Sequence, residues 1–401
     1  MRCTAAPSRP NKGFLKKILM RIAYYMPFKP MGHPNPSGDL ITGTEIYDFL
    51  AARNHTIESV STLRCRWIYY KPLTFFRLLA EKRRIISTSR SLRPDLWLSY
   101  HSYYKAPDIL GSSCCRKLKI PYVIFQGIYS TKRRKRLKTW LGFQLNKKVL
   151  LSADHIITNK TGDFKNLKRL IPENRLSFIA PGIHPDQFIF SKINRQKLRN
   201  SWHLQGEKVV MTAAMMRPGV KTRGITTVIQ SCAELAGQGI PLRLIIAGDG
   251  SCRQQLEKTA AELLPGKTIF LGKIPRHKLY QYYSAADIFA FPGIEESLGM
   301  VYLEAQSCKL PVVAYKDWGG GEAVVHEQTG LLSALSDDFM FTENIKILLE
   351  NDTLRTKLAE NCSRHIRRHH DLNYNYSTME KTLIELATSR RKAITAHHPQ
   401  R

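Results

Sequence analysis

From Asp287 to Leu332 short apolar runs alternate with turns, and the pattern reads as successive strands and helices of an open parallel sheet. Asp287-Ile-Phe-Ala-Phe-Pro292 is brief and aromatic-rich, as a strand buried on both faces should be. Glu295, Glu296 and Ser297 then form an acidic turn before a helical spacing of Met300, Val301, Leu303 and Ala305. Leu310 to Tyr315 reads as the next strand, and Trp318-Gly-Gly-Gly321 as a tight turn into another helix. Each loop then falls at the carboxyl end of a strand, where open α/β sheets bind ligands. Glu296 and Glu304 lie eight positions apart, so both carboxylates can face one crevice. The helix N-terminus between them offers N–H groups to an anion.

Two glutamates at this spacing arise often by chance. Here they are followed by Pro311-Val-Val-Ala-Tyr315, by Gly319-Gly-Gly-Glu-Ala-Val-Val325 and by Thr329-Gly-Leu-Leu332. In that order the segments resemble the donor site of the GT-B retaining glycosyltransferases of family 4. A strand–helix–strand core with two solvated glutamates is the plainer alternative, but such a core does not require a three-glycine turn. The resemblance implies an α/β protein of two Rossmann-like domains facing each other across a cleft. It covers residues 21–388, strongest over 242–332 and weakest over 60–150, as expected where donors share one nucleotide scaffold and acceptors differ.

The chain of 401 residues, 43% hydrophobic, suffices for two such cores. Its eight cysteines form no CxxC pair, which fits reduced thiols better than a zinc site or a disulfide framework. The formal charge of +30 is uneven: residues 1–190 hold 34 Lys+Arg against 11 Asp+Glu, hence +23, and the remainder +7. Such asymmetry points to an anionic partner, densest at Lys132-Arg-Arg-Lys-Arg-Leu-Lys138 with a smaller cluster at Lys82–Arg84. Nucleic acid, an anionic membrane surface and a phosphorylated glycan all satisfy it; a solvated basic face is the bland alternative. No segment reaches eighteen apolar residues, and the expected location is cytoplasmic, peripheral on the inner face of the membrane.

The expected organisation is a basic extension at 1–20, an acceptor-side domain at 21–185, a linker over 184–207, a nucleotide-sugar domain at 208–370 and a returning helix and tail at 371–401. In the first domain, Arg21–Pro27 reads as a strand and Ser37-Gly38-Asp39 as the loop after it, where Gly38 permits close approach and Ser37 can meet an anion. The strand Arg93–His101 ends in His101, a packed residue or, by its place in the resemblance, a catalytic one. Strand Ile120–Gly127 carries Gln126 where many relatives have histidine; glutamine can orient a hydroxyl but cannot trade protons near neutral pH. Phe178–Ile183 is expected to be a strand and Pro-Gly turn closing the first domain, and two charged helices to follow Leu332.

In the second domain, strand Lys208–Arg217 leads into a basic turn. The resemblance assigns an Arg and a Lys there to the nucleotide diphosphate: Arg217, and Lys221 in preference to Arg223, whose Gly224 neighbour keeps it in contention. Fixed cations suit a leaving diphosphate that gains charge as the glycosidic bond breaks. Gly248 and Gly250, after Leu242–Ala247, would let the backbone approach the nucleotide. By resemblance, Glu304 accepts the ribose hydroxyls, Glu296 serves the sugar and its oxocarbenium-like centre, and Ser297, Leu298, Gly299, Gly320 and Gly321 complete the donor site. No dinucleotide fingerprint and no Asp-x-Asp pair occur, so NAD is disfavoured and neither a cofactor nor a metal is expected. The expected reaction is sugar transfer from a nucleotide sugar to a hydroxyl of a glycan or glycolipid, with retention, in synthesis of cell-surface polysaccharide, lipopolysaccharide or glycolipid. Alternatives are an epimerase or phosphorylase of the same fold, or a basic non-catalytic binding protein; no RNA- or DNA-binding motif supports nucleic acid.

Overall fold

A computed structural model describes residues 18–33, 38–296 and 298–396. Ser37, Ser297 and the extension up to residue 17 lie outside them. The described chain forms two compact units, one of Met1–Thr158, Asp163–Ser177 and Thr378–Arg401, the other of Asn159–Gly162 and Phe178–Ser377.

The first unit is built on β1 (Arg21–Tyr25), β2 (Thr56–Ser61), β3 (Leu96–Ser102), β4 (Tyr122–Gly127), β5 (His155–Thr158) and β6 (Leu176–Phe178). Their order is β2-β1-β3-β4-β5-β6. Every residue of β3, β4 and β5 is buried, which is why these strands read as runs without alternation. The order in which strands are added reverses between β1 and β3, which run parallel, and this is the position at which doubly wound sheets open a crevice. His55 ties the last helix to this sheet: its Nδ1 accepts the Met20 N–H (3.1 Å), which leaves Nε2 to donate to Glu380 Oε1 (2.9 Å).

The second unit contains β7 (Lys208–Ala213), β8 (Leu242–Ala247), β9 (Thr268–Gly272), β10 (Ile288–Ala290), β11 (Val312–Tyr315) and β12 (Gly330–Ser333). The order β12-β11-β10-β7-β8-β9 puts the switch between β7 and β10. The parallel ladders pair Met211 with Phe289 and Val312 with Gly330, so the motif at 329–332 is itself an edge strand.

Three expectations are corrected. The segment 184–207 is not a plain linker: Lys192–Ser201 is a helix, capped where the Ser191 side chain accepts the Asn194 N–H. Its polar composition hid it, because it docks by charge. The strand expected within Phe178–Ile183 lies earlier: β6 ends at Phe178, and Ile183 instead bonds the backbone of His370 and Leu372. Beyond Leu332 there are three helices, Asp338–Glu350, Asp352–His369 and Leu372–Ala396. No helix among the described residues is long and apolar enough to cross a membrane.

Candidate active site

At the switch point of the second sheet, the loop after β7 and the loop after β10 meet through one ion pair. The helix Val220–Gly237 begins directly after Arg217-Pro-Gly219, and its second residue, Lys221, reaches across to Glu296 Oε2. Both side chains are about four-fifths buried, at 20% and 21% exposure, so the pair is partly shielded from water yet open to a ligand. The Lys221 ammonium also lies 5.4 Å from the centre of the Phe291 ring, an apolar floor that favours a cation. Arg217 and Arg223 are exposed. Of the two candidates left open by the sequence, Lys221 is the one placed against Glu296. Gly224 has a separate cause: a Cβ there would sit 2.9 Å from the Phe291 ring.

Glu304 occupies a different setting. It is buried on the helix Met300–Ser307, and both of its oxygens are engaged. Arg276 Nε donates to Oε1 at 2.7 Å, and the Tyr283 hydroxyl donates to Oε2 at 3.3 Å. Burial, with the Glu304 charge beside it, holds the Tyr283 hydroxyl well above its usual pKa, so it stays a donor. These contacts fix the orientation of the Glu304 carboxylate. Arg276 and Tyr283 come from the segment after β9, and nothing in their local sequence marked them.

The glycines prove to be packing devices as well as openings. Gly248 has φ +140° and Gly250 φ +151°; a side chain on either would strike the carbonyl of Ala214 or Met216, so the β8 loop can lie on the β7 loop only if both lack one. In the Gly319–Ala323 turn, the Gly319 N–H donates to the Glu296 carbonyl at 2.9 Å, and a Cβ on Gly319 would sit 3.0 Å from Glu296 Cγ. Gly320 and Gly321 press on the carbonyls of Tyr315 and Lys316. The three-glycine turn thus holds the Glu296 loop directly. Gly299 is buried and Leu298 half-buried in that loop.

In the first unit, His101 and Gln126 end neighbouring strands and both adopt left-handed backbone, φ 71° and 64°. Such φ values are uncommon for residues other than glycine and cluster at functional positions. His101 is buried, stacked on Tyr103 (4.7 Å between ring centres) and edge-on to Phe28, with Nδ1 3.5 Å from Asp39 Oδ1. Gln126 is buried too; its Nε2 donates to Asp163 Oδ2 at 3.1 Å, and Oε1 accepts the Thr158 hydroxyl at 3.5 Å. Gly38 opens the helix Gly38–Ala52, and among the described residues a Cβ there would meet no atom within 4 Å.

Two doubly wound parallel sheets, each with charged side chains gathered at its switch point, define a GT-B protein. Within the second unit, residues 194–365 match the family model of the glycosyl transferases group 1. Over 255 residues the chain is 33% identical to a D-inositol 3-phosphate glycosyltransferase of Corynebacterium urealyticum, covering 60% of this chain and 58% of that one. Over 230 residues it is 29% identical to a GDP-mannose-dependent alpha-(1-6)-phosphatidylinositol monomannoside mannosyltransferase of Mycolicibacterium smegmatis, covering 55% of this chain and 58% of that one. The match thus spans somewhat under three-fifths of these relatives' length. Among solved structures, Anabaena Alr3699/HepE in complex with UDP superposes with a TM-score of 0.70 at 18% identity, over 91% of this chain and 99% of that one. WaaG, a glycosyltransferase involved in lipopolysaccharide biosynthesis, gives 0.61 at 15% identity, over 90% and 99%. At these identities the likeness is one of fold.

Proposed function

We propose that the protein is a retaining glycosyltransferase that moves a sugar from a nucleoside-diphosphate sugar to a hydroxyl of a phosphate-bearing glycan or glycolipid. The observation that carries this reading is the Lys221–Glu296 pair at the switch point of a group 1 domain. With donor bound, Arg217 and Lys221 hold the diphosphate, Lys221 exchanging Glu296 for phosphate oxygens. Glu296, released from that contact, faces the sugar. The bond from the anomeric carbon to the diphosphate oxygen breaks with its electrons on the leaving group, and the cations stabilise the charge that develops. The acceptor oxygen bonds to the same face of the anomeric carbon, and its proton passes to the departing phosphate. Glu304, oriented by Arg276 and Tyr283, receives the ribose hydroxyls. The amides of Gly320 and Gly321 help to hold the donor. An anionic acceptor matches the +23 balance of residues 1–190, and both relatives are named for a phosphorylated inositol.

A thermal-shift series with GDP, UDP and their sugars tests the donor assignment, because a ligand that binds only the folded state raises its melting temperature. One nucleotide should shift the wild type, and Glu304→Gln should weaken its binding by about 1.5–3 kcal/mol, through loss of a charged acceptor. Absence of any shift across the series, or equal shifts in wild type and variant, would contradict the assigned ribose site.

The charge on the leaving group is met here by side chains, so transfer should continue in EDTA at the untreated rate. A rate abolished by chelator and recovered with magnesium or manganese would show that Arg217 and Lys221 do not suffice.

A further inference from the structure

The first unit carries a surface that is both apolar and strongly cationic, and neither property serves its core. In the helix Pro72–Leu92, Leu73, Phe76 and Leu79 recur every third residue and are 78%, 67% and 40% exposed. Leu78 and Ile85, on the other side of the helix, are buried in the core. Arg77, Lys82 and Arg83 lie on the same helix as the exposed residues. In the helix Leu137–Ser152, the first turn exposes Leu137 at 95% and Trp140 at 48%.

These two apolar edges are joined. The Tyr70 hydroxyl, just ahead of the first helix, donates to the Lys138 carbonyl at 2.9 Å. Between them the basic run folds as a 3-10 turn, Thr131–Lys135, closed by the Thr139 hydroxyl donating to the Arg133 carbonyl at 2.7 Å. The Arg133 guanidinium packs 4.7 Å from the centre of the Tyr104 ring. Lys132–Arg136, Arg169 and Tyr129 line an open basin of about 670 Å³. Exposed leucines and aromatics beside clustered lysines and arginines match the two layers of a membrane interface, acyl chains below and anionic headgroups above.

We infer that this face docks on an anionic lipid bilayer, with Leu73, Phe76, Leu137 and Trp140 entering the interface and the 131–136 turn seating the headgroups. A second copy of the chain is disfavoured as the occupant, because face-to-face copies would set the basic turns against each other. Nucleic acid would answer the charge but gives the leucines nothing to enter. The docking does not depend on the donor-site reading, and the two can fail separately.

The test is partition of the full chain onto vesicles of phosphatidylglycerol mixed with phosphatidylcholine, against phosphatidylcholine alone and against duplex DNA as competitor. Each cation near an anionic surface multiplies partition on the order of fivefold, so Lys132→Ala with Arg134→Ala and Lys135→Ala should lower it on the order of a hundredfold. Leu73→Asp with Phe76→Asp, and separately Leu137→Asp, should lower it at least tenfold at fixed salt. Leu137 is so exposed that its change cannot disturb the core, and circular dichroism checks the rest. Brominated lipid should quench wild-type fluorescence more than that of Trp140→Phe. Wild-type partition in either the charge or the apolar variants, equal binding to neutral vesicles, displacement by DNA, or a dimer dissolved by Leu137→Asp would each overturn the inference.

Discussion

Glu296→Gln is expected to reduce turnover at saturating donor by on the order of 10²–10³-fold while nucleotide affinity changes little. The magnitude is that of removing one group aimed at charge developing in a transition state. The split between turnover and affinity follows from position: Glu304 is clamped by Arg276 and Tyr283, whereas Glu296 pairs with the lysine that a diphosphate would claim. The two residues of the pair should also be energetically coupled. In a cycle of Glu296→Gln, Lys221→Met and the double variant, contacting groups of this kind deviate from additivity by about 0.5–3 kcal/mol. Steady-state rates of sugar transfer give all the terms. If Glu296→Gln kept kcat within threefold of wild type, the carboxylate would have no part in the chemistry.

The contrast between the two glutamates shows what a sequence can and cannot carry. Their spacing and the apolar runs around them were legible, because burial on both faces of a parallel sheet leaves a direct mark on composition. Their partners were not. Lys221 lies 75 residues from Glu296, and Arg276 28 residues from Glu304, distances at which only the fold decides who meets whom. The glycines at 248 and 319–321 were visible as openings, but their neighbours were not: Gly248 and Gly319 press on another loop of the same sheet edge, and Gly320 and Gly321 on the end of the strand before them. Left-handed backbone at His101 and Gln126 left no trace, since neither residue type advertises it. The helix Lys192–Ser201 shows no apolar stripe in the sequence, because it has no buried residue. A different signal was present, the i,i+4 pair Arg195 and Arg199, which puts two guanidiniums on one face.

That pair sets the second large effect. Asp287, buried at the start of β10, is the anchor for the helix: Oδ1 accepts from Arg195 at 2.6 Å, and Oδ2 from Arg199 at 3.0 Å and from the Val209 N–H at 2.7 Å. The same arginines also bond the carbonyls of Ser284, Ala285 and Ala286. Burial pushes the Asp287 carboxyl up, but the two guanidiniums and the backbone N–H outweigh it and hold its pKa below the usual carboxylate value. A depressed folded pKa contributes stability that is present above the unfolded value, about 3.9, and is lost as pH falls through the folded one. Asp287→Ala should therefore cost about 3–5 kcal/mol at neutral pH, the range for stranding one side of a buried ion pair. The gap between wild type and variant should narrow on acidification below about pH 4, as the wild-type carboxylate itself takes up a proton. Urea unfolding at pH 7 and at two acidic pH values measures both. A loss under 1 kcal/mol, or a gap that widens in acid, would mean that the helix is held by the backbone contacts of Arg195 and Arg199 and not by Asp287.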